Sequence, residues 1–228
     1  MKILVVIPAR AGSKGVPGKN SKELNGKALI EYTIDAALGV QGISPSDILV
    51  TTDCPKVMKI CEKKDVTLWL RPQDLCRDET PMAPVLKDAL TSRPDDLSYT
   101  HVLLLQPTCP FREVSHIEAA ISVCRDSPPD ATVVSVYEVE DAHPGRMYRL
   151  YRGSLQPLYP DLVERNRQDL PPVFHRNGSI YLTPSNYIRK GMIYSEKLIP
   201  FVMSADDSMN IDSQTDWKVA EALLSSRA

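Results

Sequence analysis

Short apolar or β-branched runs recur along the first 140 residues: Ile3–Ile7, Ile48–Thr52, Val66–Leu70, Val102–Leu105 and Thr132–Val136. Their apolarity is continuous rather than alternating, which suits strands covered on both faces. Between them the spacing changes to a helical one. Ile30, Ile34, Ala37 and Leu38 fall on one face, as do Val57, Ile60 and Cys61, and again Val114, Ile117, Ile121 and Cys124. Strands alternating with helices at this interval predict an α/β fold with a mostly parallel sheet flanked by helices. Ligands of such sheets bind beyond the carboxyl ends of the strands.

The alternation stops between Asp141 and Pro172. This stretch is rich in tyrosine, proline and arginine and has neither period. A loop of that length inside a domain is unusual unless it is functional or packs on something else. Its apolar residues Met147, Leu150, Tyr151, Leu155, Leu158 and Tyr159 would be exposed on a monomer. We therefore expect an arm inserted at 141–172 that reaches over a second subunit, in preference to a disordered insert. The α/β domain comprises 1–140 and 173–228. Its pattern resumes with Ser179–Thr183, Leu198–Met203 and a final helix in which Trp217, Ala220 and Leu224 share a face. Ser213 and Asp216 have the spacing of a capping box at the start of that helix.

Composition narrows the function classes. The chain has 228 residues, with 27 Lys+Arg against 29 Asp+Glu, a net charge of -2 that argues against a nucleic-acid or anionic-membrane coat. No apolar run approaches the ~20 residues of a membrane span. The first run is too short for a signal-peptide core, so the chain reads as cytoplasmic. The five cysteines are odd in number and form no C-x-x-C, and the four histidines have no metal-binding spacing. Reduced, mostly buried thiols are expected.

Chemistry concentrates directly after the first strand, in Ile7-Pro8-Ala9-Arg10-Ala11-Gly12-Ser13-Lys14-Gly15-Val16-Pro17-Gly18-Lys19-Asn20. Residues 8 to 22 contain Arg10, Lys14, Lys19 and Lys22 and no acid. Three glycines allow tight turns and bring backbone N–H groups close to a ligand. Cations and accessible N–H groups at a strand's carboxyl end suit a polyphosphate. The spacing is neither a Walker A loop nor G-x-G-x-x-G.

This segment resembles the opening motif of the acylneuraminate cytidylyltransferases, the CMP-sialic acid synthetases. Further matches follow in order. They are Arg71-Pro72-Gln73-Asp74-Leu75, then Leu104 to Arg112 (with Cys109 and Phe111 for the family's Ser and Leu), then Arg167 to Pro172 with Asn177-Gly178-Ser179-Ile180-Tyr181. The resemblance runs from residue 3 to about residue 221. It implies a Rossmann-like nucleotidyltransferase that joins CMP from CTP to the anomeric hydroxyl of a nonulosonic acid and releases pyrophosphate. It also implies Mg²⁺ as cofactor and a homodimer built on the arm. By the same resemblance Arg10, Gly12, Ser13, Lys14, Lys19 and Asn20 hold the triphosphate and ribose, with Lys19 offsetting charge on the leaving pyrophosphate. Arg71 and Thr80 border the nucleotide. Gln106, Asn177 and Tyr181 offer hydrogen bonds to the sugar, and Arg167 of the arm is the cation for its carboxylate or for the transition state. The family's Asp-x-Asp metal motif becomes Asn210-Ile211-Asp212 here, leaving one carboxylate and one neutral amide oxygen.

Plainer roles stand beside these. Arg71 fits a cap on a strand end, Gln106 a side chain binding backbone, Tyr181 a core residue and Asp212 a helix cap. Two other functions are compatible with the residues. One is a non-catalytic nucleotide- or sugar-binding relative, suggested by Asn210, and the other an octulosonate (Kdo) cytidylyltransferase.

Overall fold

The computed structural model describes residues 1–227. In chain order its elements are β1 (Ile3–Pro8), β2 (Glu23–Leu24), β3 (Lys27–Ala28), α1 (Leu29–Leu38), β4 (Ile48–Thr52), α2 (Pro55–Lys64), β5 (Thr67–Leu70), α3 (Met82–Thr91) and β6 (His101–Leu105). They continue with α4 (Val114–Arg125), β7 (Thr132–Glu138), β8 (Tyr148–Tyr151), β9 (Ser154–Pro157), β10 (Phe174–Pro184), α5 (Ser185–Arg189), β11 (Leu198–Val202) and α6 (Gln214–Arg227).

Seven strands form the central sheet in the order β11-β7-β10-β6-β1-β4-β5. Strand β1 runs parallel to β4 and β6, β4 to β5, and β11 to β7; only β10 is antiparallel to both its neighbours. The expected mostly parallel sheet is thus present. The continuous apolarity of β1 has a direct cause. Val5 and Ile7 point into a layer built with α1, α2 and α4, while Leu4 and Val6 point into a layer built with α3 and α5. Both faces exclude water, so both alternating sets must be apolar. A third cluster, holding Val16, Leu24, Leu29, Phe111, Ile211 and Trp217, fastens the loop after β1 to α6.

The structure corrects the sequence reading in several places. Helix α3 forms where the hydrophobic pattern predicts no element. Val85, Leu86, Ala89 and Leu90 are its buried face, and Pro84 lies in its first turn, where a missing N–H is tolerated. Strand β10 begins at Phe174, well before Ser179, and its pairing with β7 shifts register between Arg176 and Tyr181. The edge strands β5 and β11 are only partly covered, so burial on both faces holds for the interior strands alone.

The 141–172 segment is also more regular than its sequence suggests. It contains a hairpin, β8 against β9, turned by Arg152 at φ 49° and Gly153 at φ 80°. Two successive left-handed residues are what a tight two-residue hairpin turn requires. Its base is closed: the Val139 N–H donates to Val173 O at 2.8 Å, and buried His143 accepts from the Gly145 N–H at 2.9 Å with its other ring nitrogen 2.9 Å from Pro171 O. Leu150, Leu155, Tyr151 and Tyr159 remain exposed on this projection.

Helix α6 begins with the anticipated box. Asp216 Oδ2 accepts from the backbone N–H groups of Ser213 at 2.7 Å and Asp212 at 3.0 Å, and Ser213 Oγ accepts from the Asp216 N–H at 3.2 Å. Asp216→Ala should destabilise the protein by about 1 kcal/mol at pH 7. The Asp212 backbone N–H, followed by Ser213, holds the Asp216 carboxyl below its usual pKa. A depressed native value stabilises the fold fully above the unfolded Asp value of ~3.9. That contribution fades as the pH falls through the native value. Chemical denaturation of both proteins should therefore show the wild-type advantage at pH 7 shrinking below about pH 4.

Candidate active site

The strand order reverses beside β1. The chain passes from β1 outward to β4 and β5, then crosses back to place β6 on β1's other side. Loops leaving the carboxyl ends of β1 and β6 therefore diverge, and a crevice opens between them. The β1 loop is held in shape by side chains that bind its backbone. Thr52 donates its hydroxyl to Ala9 O, the Ala11 N–H donates to Asp53 Oδ1 at 2.6 Å, and the buried Asn20 amide donates to Arg10 O at 3.0 Å. Gly18 takes φ 64° to start the short turn that presents Lys19. At Gly15 a Cβ would lie 1.8 Å from Asp212 O, so only glycine lets this loop touch the segment before α6.

The loop's cations take three directions. Lys19 is nearly buried, and its ammonium donates to Ile211 O at 2.5 Å and to Asp212 Oδ1 at 3.0 Å. Arg10 and Lys14 both meet Asp78, at 2.5 Å and 2.7 Å. Lys22 turns away and lies 4.2 Å over the Trp217 ring. Arg10, Ser13, Lys14, Lys19 and Asp212 line a cavity of about 290 Å³, and Gln106 is part of the same lining.

Gln106 also lines a second cavity of about 890 Å³, together with Tyr137, His175, Arg176, Tyr181 and Tyr194. Its side chain makes no hydrogen bond among the described residues, and it sits where the two cavities meet. Tyr181 is both core and wall. Burial pushes its pKa up to about 12, and its ring lies 6.0 Å from that of Tyr194. Arg176 donates to the Tyr194 hydroxyl and stacks on the same ring.

Other candidates lie elsewhere or are already engaged. The Asn177 amide is fully committed: Oδ1 accepts from Ser135 Oγ at 2.5 Å and the Ser179 N–H at 3.0 Å, while Nδ2 donates to Ser208 Oγ at 2.8 Å. Asn177 therefore lines the larger cavity but locks the irregular start of β10, with no open amide group left for a ligand. Arg71 is buried and donates to Thr51 O at 2.8 Å, so it clamps the end of β4 while still lining the smaller cavity. Thr80 donates to Asp74 O at 3.5 Å and lies outside that lining. Arg167 lies in the 141–172 segment, 3.2 Å from Glu140, and borders neither cavity.

Two similarities identify the family. A family model described as cytidylyltransferase matches residues 4–149. The CMP-N,N'-diacetyllegionaminic acid synthase of Legionella pneumophila is 34% identical over 98% of this chain and 97% of its own length. The chain belongs to the cytidylyltransferase family. An N-acylneuraminate cytidylyltransferase of Streptococcus agalactiae is 33% identical over 95% of the chain. The chain spans about half the length of that relative, 52%. A solved CMP:2-keto-3-deoxy-manno-octonic acid synthetase complexed with CTP matches the fold over the whole of both chains, with a TM-score of 0.75 at 20% identity.

In this member of the family, Arg112, for which the residue pattern predicts no site role, holds the two cavities' shared wall together. Arg112 is fully buried and has no acid partner among the described residues. It donates to Ser179 O at 2.8 Å, Gln106 O at 3.2 Å and Thr33 Oγ1 at 2.6 Å. Burial lowers its pKa to about 10. Its guanidinium thus ties the Gln106 turn to β10 and α1. Its place in the Leu104 to Arg112 motif was the available signal, but its partners lie on distant elements and leave no local mark.

The possible metal donors are sparse. No group of three or more His, Cys, Asp or Glu gathers among the described residues. Asp212 Oδ1 receives Lys19, and Oδ2 accepts from the Asn210 amide at 2.5 Å. One carboxylate and one amide suit a hard cation that keeps several waters and takes further oxygens from a phosphate ligand. Ser213 and Asp216 perform the helix capping, which leaves the Asp212 side chain, 68% exposed, facing the cavity.

Proposed function

We propose that the protein transfers the CMP unit of CTP to the anomeric hydroxyl of a nonulosonic acid. That oxygen gives up its proton to water and forms the new bond to the α-phosphorus, while the bond to the bridging oxygen breaks and its electron pair leaves with pyrophosphate. One observation carries the reading: a small cation-lined cavity and a larger aromatic and polar one meet at Gln106. A triphosphate in the first and a sugar acid in the second would bring their reacting atoms to that junction. Such transfer needs mainly positioning and charge neutralisation. Lys19 would meet charge on the leaving group, and Arg10 and Lys14 would hold the outer phosphates. Gln106 would orient the acceptor through its open amide. Mg²⁺ would be held by Asp212, with Asn210 and phosphate oxygens, and supplies charge neutralisation of the triphosphate when bound.

Incubation with CTP, Mg²⁺ and a panel of nonulosonic and octulosonic acids, with pyrophosphate as the readout, tests this. Release dependent on a nonulosonic acid supports it. Asn210 favours the rival reading of a non-catalytic binder, which binding of CTP without turnover of any acid would support.

The arm enters the same reading as the partner-facing element of a homodimer. Pairing two hairpins would cover Leu150, Leu155 and Tyr159, and Arg167, distant from its own cavities, would serve the partner's acceptor site. Light scattering should give twice the 25.4 kDa chain mass. Mixing inactive Lys19→Ala and Arg167→Ala proteins should restore about a quarter of wild-type activity, because random pairing makes half the molecules mixed dimers with one intact site. A fully active monomer excludes the dimer; no recovery after proven subunit exchange places Arg167 over its own site.

A further inference from the structure

Asp78 lies on the segment between Leu75 and α3, and both its carboxylate oxygens face cations of the β1 loop. Oδ1 is 2.5 Å from Arg10 and Oδ2 is 2.7 Å from Lys14. Among the described residues it has no other ion-pair or hydrogen-bond partner. Arg10 and Lys14 line the small cavity, whereas Asp78 stands outside that lining. The neighbouring Lys14 and then Arg10 hold its carboxyl below the usual carboxylate range, so it is ionised at neutral pH. Lys14 is largely exposed, which makes this pairing readily exchanged.

A carboxylate and a phosphate compete for the same donors and the same positive charge. We infer that Asp78 is a displaceable counter-ion of the nucleotide site, set against the phosphates for Arg10 and Lys14. The inference rests on the proposal that this cavity takes a triphosphate. Its consequence is a weaker hold on polyphosphate than the loop's cations alone would give. Pyrophosphate leaves more readily because a carboxylate of the chain takes back the cations that it releases. Where release limits turnover, such a group raises the rate although it weakens substrate binding. A supporting role for Asp78, in which it merely fixes the two cations, has the opposite consequence: losing its charge would loosen them and weaken binding.

Asp78→Asn removes the charge and keeps the shape. Calorimetric titration with inorganic pyrophosphate, and separately with CTP, should show binding about three- to tenfold tighter than wild type at low salt. The gain should narrow as ionic strength rises above about 0.15 M. Equal or weaker binding by Asp78→Asn, with a wild type that binds normally, overturns this inference alone. A wild type that binds neither ligand removes the triphosphate site and the inference together. Comparison in a background carrying both Arg10→Gln and Lys14→Gln locates the effect. The gain should disappear there, and its persistence overturns the assignment by showing that the charge acts through other groups. Thermal melts of each variant establish that it is folded.

Discussion

Lys19→Ala should lower kcat by roughly a hundredfold or more, about 3 kcal/mol of transition-state stabilisation. The expectation follows from how completely the fold fixes this side chain. Gly18 turns the backbone in its left-handed region, Val16 packs under the loop, and Ile211 O and Asp212 Oδ1 receive the ammonium. A cation held in this way needs little rearrangement when charge grows on a leaving group, and such preorganisation is the larger part of electrostatic catalysis. Removing it also leaves Asp212 without its cation, so a fold-stability readout must accompany the kinetics. Lys19→Met retains the stem and its packing. It should melt near the wild-type temperature and still show the kcat loss. Near-normal kcat at saturating CTP in either variant would reject the assigned role.

How far the sequence foretold this arrangement depended on the range of the interactions. The interior strands were legible because burial on both faces forces continuous apolarity, and the β1 loop because a run of cations and glycines without acids has few uses. Helix α3 was hidden by Pro81 and Pro84, which read as loop signals although both sit at a helix start. The β8–β9 hairpin was hidden because its strands face solvent on both sides and so have no alternating pattern; Arg152-Gly153 was its only local mark. The site showed the same division. Gln106 and Lys19 stood out by residue type and motif. The locked amide of Asn177 and the three-way clamp of Arg112 depend on contacts between elements 30 to 80 residues apart, such as Ser135 with Asn177 and Thr33 with Arg112. The role of Asp78 is not legible locally for a related reason. It lies in a segment of mixed charge, and only the fold brings it against Arg10 and Lys14.

Asp212→Ala should abolish Mg²⁺-dependent turnover while leaving a folded protein. The second half of that expectation has a structural basis. Helix α6 is capped by Ser213 and Asp216, and Ile211 is anchored in the third core cluster, with its N–H donating to Thr108 O at 2.8 Å. The Asp212 carboxylate contributes to neither. A melt close to wild type combined with lost turnover therefore identifies a site residue. A variant that is unstable yet still responds to Mg²⁺ would make Asp212 a structural residue. The neighbouring position gives a test that does not depend on activity. Asn210 donates its amide to Asp212 Oδ2 at 2.5 Å. Asn210→Asp replaces that hydrogen bond with a second carboxylate in contact with the first. Two such groups repel, and one is driven toward protonation unless a cation lies between them. Asn210→Asp should therefore melt below wild type in chelator, and Mg²⁺ should raise its melting temperature more than it raises that of wild type. An identical Mg²⁺ response in the two proteins would place position 210 off the metal. A larger response in Asn210→Asp that is lost on adding Asp212→Ala would assign both side chains to one cation.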